Sequence, residues 1–408
     1  MAHIRPLRAL RPHPDQAHRV ASVPYDVVDT AEARALAAGN PASFLHVIRP
    51  EIDLPETTDI HADEVYAQAA AGLERLGDEG ILVRDEQPAL YVYRQVMGAH
   101  SQVGIVGCCS VDEYDADRIK KHERTREDKE NDRTRHVISL SAHAGPVFLT
   151  YRDDDAIDAW VEGVMTTSPL YDFTAVDGVV HTVWRSTHCR SVMESFERVE
   201  SLYVADGHHR SASASRARAV RREANPAHSG EEDYNRFLAV LFPAGQLKIL
   251  AYNRVVHDLA GLSITEFLAR VGEVLSLSES AAPSPGNRGA FSMYLSGRWY
   301  GLDAPPALLE APDPVASLDA AILQDRVLGP ILGIDDPRTS LRVDFVGGIR
   351  GTQELEKRVD ARPGSVAFSL YPLSVEQLMG VADAGRVLPP KSTWFEPKLR
   401  SGLVVHSF

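Results

Sequence analysis

Asp206, Gly207, His208, His209 and Arg210 put a carboxylate, a glycine, two histidines and an arginine into five consecutive positions. Glycine at a bend lets a ligand come close to the backbone. The free N–H groups and the positive dipole end of a following helix favour an anion there. Basic side chains at a helix start oppose that dipole, so local stability does not explain His208, His209 and Arg210. Phosphate recognition does. The flanking residues must then supply a strand and a helix. The apolar run SLYVA before Asp206 and the Ala-rich SASASRARA after Arg210 predict a strand, a tight turn at Asp206-Gly207 and a helix starting near His208.

A second constellation is DRIKKHERTREDKENDRTRH. Fourteen of the 21 residues from 117 to 137 are charged, eight basic and six acidic, so this is either a salt-bridged surface helix or a charged working face. Read as a helix, it puts His122, Arg126, Lys129 and Arg133 on one face and Glu123, Glu127 and Glu130 on an adjacent stripe. Phosphoryl transfer to a hydroxyl needs an acceptor for the hydroxyl proton, and a carboxylate suits that task. If the Asp206 turn holds a phosphoryl donor, that task requires His122 or Glu123 to lie near it despite the 83 residues between Glu123 and Asp206. Two further segments carry polar groups on constrained backbone. In PYDV, Pro24 fixes an extended approach to Tyr25 and Asp26, which suits a substrate amine or the orientation of a histidine. In PPKSTWFEPK, Lys391, Ser392, Thr393 and Lys398 are candidate phosphate ligands on a proline-stiffened loop. No Gly-rich GxxxxGK[ST] run precedes them, so this is not a Walker A loop.

Four segments, SVPYDVV (22–28), KKHERTREDKENDR (120–133), YVADGHHR (203–210) and LPPKSTWFEPKLRSGL (388–403), together resemble one uncharacterised (DUF) family of bacterial and archaeal proteins. That family is related to the ParB/sulfiredoxin-like superfamily, and DGHHR after a strand resembles the signature of its SerK-type free serine kinases. The resemblance implies a nucleotide-dependent phosphotransferase acting on a small hydroxyl compound, with free L-serine the best guess and O-phosphoserine its product. It implies Glu123 as general base with His122 beside it, and Asp206 holding metal or substrate. Gly207, His208, His209 and Arg210 would cradle the nucleotide phosphates, with Lys391, Ser392 and Thr393 assisting. Asp26, Arg124 and Arg126 would contact the substrate. The implied cofactors are ATP or ADP with Mg²⁺. Two alternatives remain open on the sequence: a ParB-like nucleotide-binding regulator, and a metabolite-binding protein without turnover. Sulfiredoxin needs a reactive cysteine beside its phosphate motif, and Gly-His-His stands in that place.

Composition narrows the class. The 408 residues carry a net charge of −14, with 44% hydrophobic and 25% charged residues, which is ordinary for a globular protein. Strong acidity argues against a nonspecific grip on DNA. The three cysteines, two of them adjacent, show no disulfide framework, which suits the cytoplasm. The N-terminal stretch lacks the apolar run of a signal peptide, and runs such as FLAVLF are too short to span a bilayer. Sixteen histidines occur without HExxH or CxxC spacing.

Strand and helix signals interleave. Hairpins are predicted at 88–96 with 102–111, at 173–184 around a type I′ Asp177-Gly178 turn, across PAGQ (243–246), and at 291–302 around Ser296-Gly297. Helices are predicted at 31–39, at 61–78, after Asp206, at 264–275 behind a Ser263/Glu266 capping box, and after Ser374/Gln377. The expected fold class is α+β (mixed α/β): a ParB/sulfiredoxin-like core with several antiparallel strand pairs over residues 1–280, and a C-terminal α/β extension over 281–408.

Overall fold

The computed structural model describes residues 2–408. The chain is a mixed α/β protein that divides into two units, residues 1–247 with 397–408, and residues 248–396.

The first unit is built on a nine-stranded sheet. From one edge the strands run Ile119–Lys120, Leu202–Asp206, Val147–Tyr151, Arg236–Pro243, His100–Ser110, Leu90–Met97, Val180–Ser186 and Tyr171–Thr174, and Ile4–Arg5 also pairs with His100–Ser110. Two joints are parallel, Ile119–Lys120 with Leu202–Asp206 and Arg236–Pro243 with Val147–Tyr151; the others are antiparallel. Val147–Tyr151 is buried throughout and Arg236–Pro243 nearly so, as continuous apolar runs at a sheet centre should be. Apolar side chains from these strands pack with those of Asp155–Met165 and Arg190–Phe196. Asp154 caps the first of these two helices by accepting from Ala156 and Ile157 N–H. The last twelve residues return to this unit, where His406–Ser407 pairs with Ala142–His143 and Ser401 with Ser22.

The second unit holds a six-stranded, wholly antiparallel sheet in the order Ser276–Ser278, Arg298–Asp303, Ala290–Leu295, Val366–Leu370, Tyr252–Val256, Val343–Gly347. The Ser263/Glu266 capping box forms as the sequence requires and starts the helix Ile264–Val274, whose Phe267 and Val271 enter the core. Ser296 and Gly297 both take positive φ, 50° and 79°, in a two-residue type I′ hairpin.

Several sequence expectations need correcting. Contacts divide the chain at 247/248 rather than near 280, because the strands on either side of the 280–289 loop belong to one sheet. PAGQ joins no hairpin. Both edges of Arg236–Pro243 are already taken, so Lys248–Leu250 pairs instead with Trp394–Glu396. The connection at Asp177-Gly178 spans residues 175–179, with only Gly178 at positive φ, so it is not a type I′ turn. There the Asp177 carboxylate accepts from Val179 N–H and pairs with Arg400. Finally, the charged helix begins at Glu127, not near 120. Ile119 and Lys120 are committed to the sheet beside Leu202 and Tyr203, and the chain from there to Arg126 is irregular, with a bend at Glu123. His122 and Glu123 therefore precede the helix that carries Lys129 and Arg133, and no single helical face holds all four basic residues.

Candidate active site

The strand Leu202–Asp206, a turn at Gly207 and the helix His208–Glu223 occupy the positions the sequence predicted. Gly207 has φ 100°, a conformation costly for any residue with a Cβ. A Cβ there would also meet the Arg210 guanidinium, 3.0 Å from Nε. The turn is thus glycine for two reasons: the bend itself, and the arginine folded back over it. Ser211 N–H donates to Gly207 O at 2.9 Å, so the N–H groups of His208, His209 and Arg210 stand ahead of that intrahelical bond.

Asp206, 26% exposed, is held between two cations. Lys398 Nζ donates to Oδ2 at 2.9 Å and Arg210 Nη2 to Oδ1 at 3.4 Å. Burial alone would raise this carboxyl; the charges of Lys398 and Arg210 outweigh it and hold it well below the usual carboxylate range. Arg210 Nη1 also donates to Pro146 O. Lys398 reaches the turn because its own backbone is tied down, its carbonyl accepting from Gln95 Nε2 at 2.9 Å.

The two histidines nearest the turn are buried and neutral. His208 is 5% exposed, and burial pushes it down to about 3. His122, 1% exposed, is held well below the ordinary histidine value by burial and by neighbouring His208. Their rings meet edge to face at 4.4 Å. His208 Nε2 and both ring nitrogens of His122 are buried without a hydrogen-bond partner within the protein. Such orphaned groups are uncommon and call for water or a ligand. Glu123 Oε2 lies 3.8 Å from His208 Nδ1, and the Glu123 side chain is 45% exposed. The expected approach of 122–123 to the turn is therefore met, although the segment is irregular rather than helical. His209 Nε2 accepts from Arg126 N–H at 3.1 Å, a second tie between the two motifs. The helix Glu127–Leu140 packs along His208–Glu223, where Ser213 Oγ donates to Glu130 O and Arg216 reaches Glu130 and Asn131.

Asp26 is exposed, and its charge acts on both His209 and Arg210. Beside it, Tyr25 lies under the Arg133 guanidinium at 4.2 Å. A cleft of about 40 Å³ runs behind Arg210, lined also by Tyr25, Arg133, His136 and Ser401. Arg124 and Arg126 are exposed, and Arg126 is engaged by Asp128 at 2.8 Å. Lys391, Ser392 and Thr393 belong to the second unit. Sequence reading singled out Lys398 but missed its pairing with Asp206, because 192 residues separate them and only the tied C-terminal segment closes that gap. Among the described residues no group of three or more His, Cys, Asp or Glu side chains is arranged to hold a metal ion. No helix among them is long and apolar enough to cross a membrane.

These features define a mixed α/β protein with a strand–turn–helix at the end of a buried strand, flanked by a carboxylate and buried histidines. The chain belongs to the family described as "Protein of unknown function (DUF1015)", whose pattern matches residues 4–321. No curated protein matches it. Among solved structures it is similar to SbnI with a C-terminal truncation from Staphylococcus aureus, at 12% identity and TM-score 0.38, over 74% of this chain and 87% of that one. It is also similar to a free serine kinase in complex with AMP, at 13% identity and TM-score 0.35, over 74% and 91% of the two chains. A conserved hypothetical protein from Pyrococcus furiosus is similar at 12% identity and TM-score 0.34, over 74% and 94%. Likenesses of this depth say nothing about activity or substrate.

Proposed function

We propose that the first unit is a nucleotide-dependent phosphotransferase acting on a small hydroxyl compound, free L-serine first among candidates. The observation that carries this reading is a convergence. Glu123 stands 3.8 Å from His208 at the head of a helix whose first N–H groups lie beside Arg210 and the Lys398–Asp206 pair. Support also comes from the orphaned nitrogens of His122 and His208, which suit polar groups of a bound ligand.

In this reading the N–H groups of His208, His209 and Arg210, with the Arg210 and Lys398 charges, bind the phosphates of ATP or ADP. Asp206 holds the two cations in place. Asp206 would be the protein carboxylate facing a Mg²⁺ carried by the polyphosphate, which would supply charge neutralisation there. Glu123 accepts the hydroxyl proton as the substrate oxygen attacks the terminal phosphorus. The bond from that phosphorus to the nucleotide breaks, and its electron pair leaves with the shortened nucleotide. Asp26, at the edge of the same site, suits the substrate amine, and Arg124 or Arg126 suits its carboxylate.

The test is phosphoserine formation by purified protein with Mg²⁺ and either ATP or ADP. Glu123→Gln keeps shape at an exposed position and should lower kcat about 10²–10⁴-fold with the fold intact. Asp206→Asn should nearly abolish turnover, and Arg210→Ala should act mainly on the nucleotide KM. Wild-type protein that turns over no nucleotide with serine or with a panel of small alcohols would end the kinase reading. A small metabolite recovered at the turn without turnover would favour a binding protein.

A further inference from the structure

The second unit contains a buried cation that the kinase reading does not use. Arg254, on the strand Tyr252–Val256, is 3% exposed. Its Nη1 donates to Tyr252 O and its Nη2 to Pro390 O at 3.3 Å, and the guanidinium lies over the Phe345 ring at 5.2 Å. Among the described residues it has no carboxylate partner, and burial pushes it down to about 10, offset only in part by neighbouring Tyr252. An arginine this deep in a protein is ordinarily matched by an anion, because an unpaired buried charge is costly.

The space for that anion is present. A cavity of about 330 Å³ opens on Arg254 and is walled by Ala320, Gln324, Leu328, Pro389 and Pro390. This is the size of a small-metabolite site. Two acids and one further base also line it. Asp336 is engaged by Arg338 at 2.8 Å and Asp335 is exposed, which leaves Arg254 as the buried, uncompensated charge. Arg254 also lines a second cavity with Ala320, Tyr252, Gln377 and Ser392, where Arg288 stands as a further cation and Asp319 is occupied in accepting from Gly289 N–H. Lys391 Nζ lies 5.6 Å from the centre of the Tyr252 ring. The PPKST loop thus brings Ser392 to the second cavity, where its Oγ donates to Pro389 O at 2.6 Å.

From this geometry we infer that the second unit binds a small metabolite through an oxyanion, with Arg254 as its counter-ion and Gln377 as a neutral amide donor. Carboxylates and phosphate monoesters share that chemistry. The inference is independent of the kinase reading, since every residue it uses lies between 252 and 392.

Equilibrium dialysis of the full chain with labelled succinate and, separately, inorganic phosphate tests it. An Arg210→Ala background keeps the first unit's turn from contributing. One arm should show saturable binding near one equivalent per chain, and the arm that binds identifies the oxyanion. Arg254→Met should weaken that binding at least about tenfold, the value of a charge-assisted contact. Ala320→Phe, which leaves Arg254 in place and fills both cavities, should do the same. It keeps the test alive if Arg254→Met does not fold. Binding unchanged in both variants overturns the inference, as does no saturable binding of either anion up to about 10 mM.

Discussion

Arg210 and Arg254 are both buried arginines whose guanidinium groups tie two strands of chain together, yet they sit in opposite electrostatic settings. Arg210 shares Asp206 with Lys398 and feels Asp26 as well. Among the described residues Arg254 meets carbonyl oxygens and a ring face and no carboxylate. In the first unit the charges answer one another, so the turn is braced by its own side chains. In the second unit the charge has no carboxylate partner among the described residues. A site that carries its own counter-ions is pre-organised for chemistry; one that lacks them is stabilised by what it binds.

Acid should separate the two units most strongly. Burial pushes His136, His143, His181 and His208, all in the first unit, down to about 3. They stay neutral in the fold while the unfolded chain takes up protons below about pH 6.5, so stability falls as pH drops from there toward 3, by about 1.4 kcal/mol per pH unit for each histidine. Asp206, held low, adds to the loss only below about pH 4. The second unit has one histidine, His257, and its buried Asp319 is pushed up to about 6 by desolvation. A raised carboxyl gains stability as pH falls through that value toward 4. Hydrogen exchange of the full chain at pH 5 and 7, corrected for intrinsic rates, should therefore show opening confined to the first unit. Equal opening in both would break the comparison.

The next effect in size is Lys398→Met, which leaves Asp206 and Arg210 imperfectly matched and should cost about 3 kcal/mol by urea unfolding. Arg254→Met removes an unmatched charge and should be near neutral or stabilising. Similar losses for both would mean that Arg254 serves only as a tie between carbonyls. Gly207→Ala follows, at about 1–3 kcal/mol, from positive φ and from displacement of Arg210. Wild-type stability in that variant would show that the turn relaxes freely. Smallest is Ser263→Ala, which removes a helix cap in the second unit and should cost about 1 kcal/mol. Because Ser263 belongs to the other unit, the change should leave the proposed phosphoryl transfer unchanged.

The sequence by itself determined the local pieces. Gly207 at φ 100°, the helix from His208, the Ser263 capping box and the Ser296-Gly297 hairpin all follow from interactions within a few residues, which a linear reading contains. It also pointed to 122–123 as a neighbour of the turn. It misjudged the segment that carries them, since helical spacing of charges cannot reveal that Ile119 and Lys120 are held by a strand some 80 residues away. The PAGQ hairpin failed for the same reason, because both edges of Arg236–Pro243 were filled by distant strands. Only the tertiary structure decided which charges meet. Lys398 reaches Asp206 because the final residues pair back into the first unit, and Arg254 is left without a carboxylate partner among the described residues because the strands beside it place Phe345 and Phe368 opposite it. Hydrogen bonds along the chain are set by neighbours in sequence. Burial and charge pairing are set by neighbours in space, and those come into being only when the sheets close.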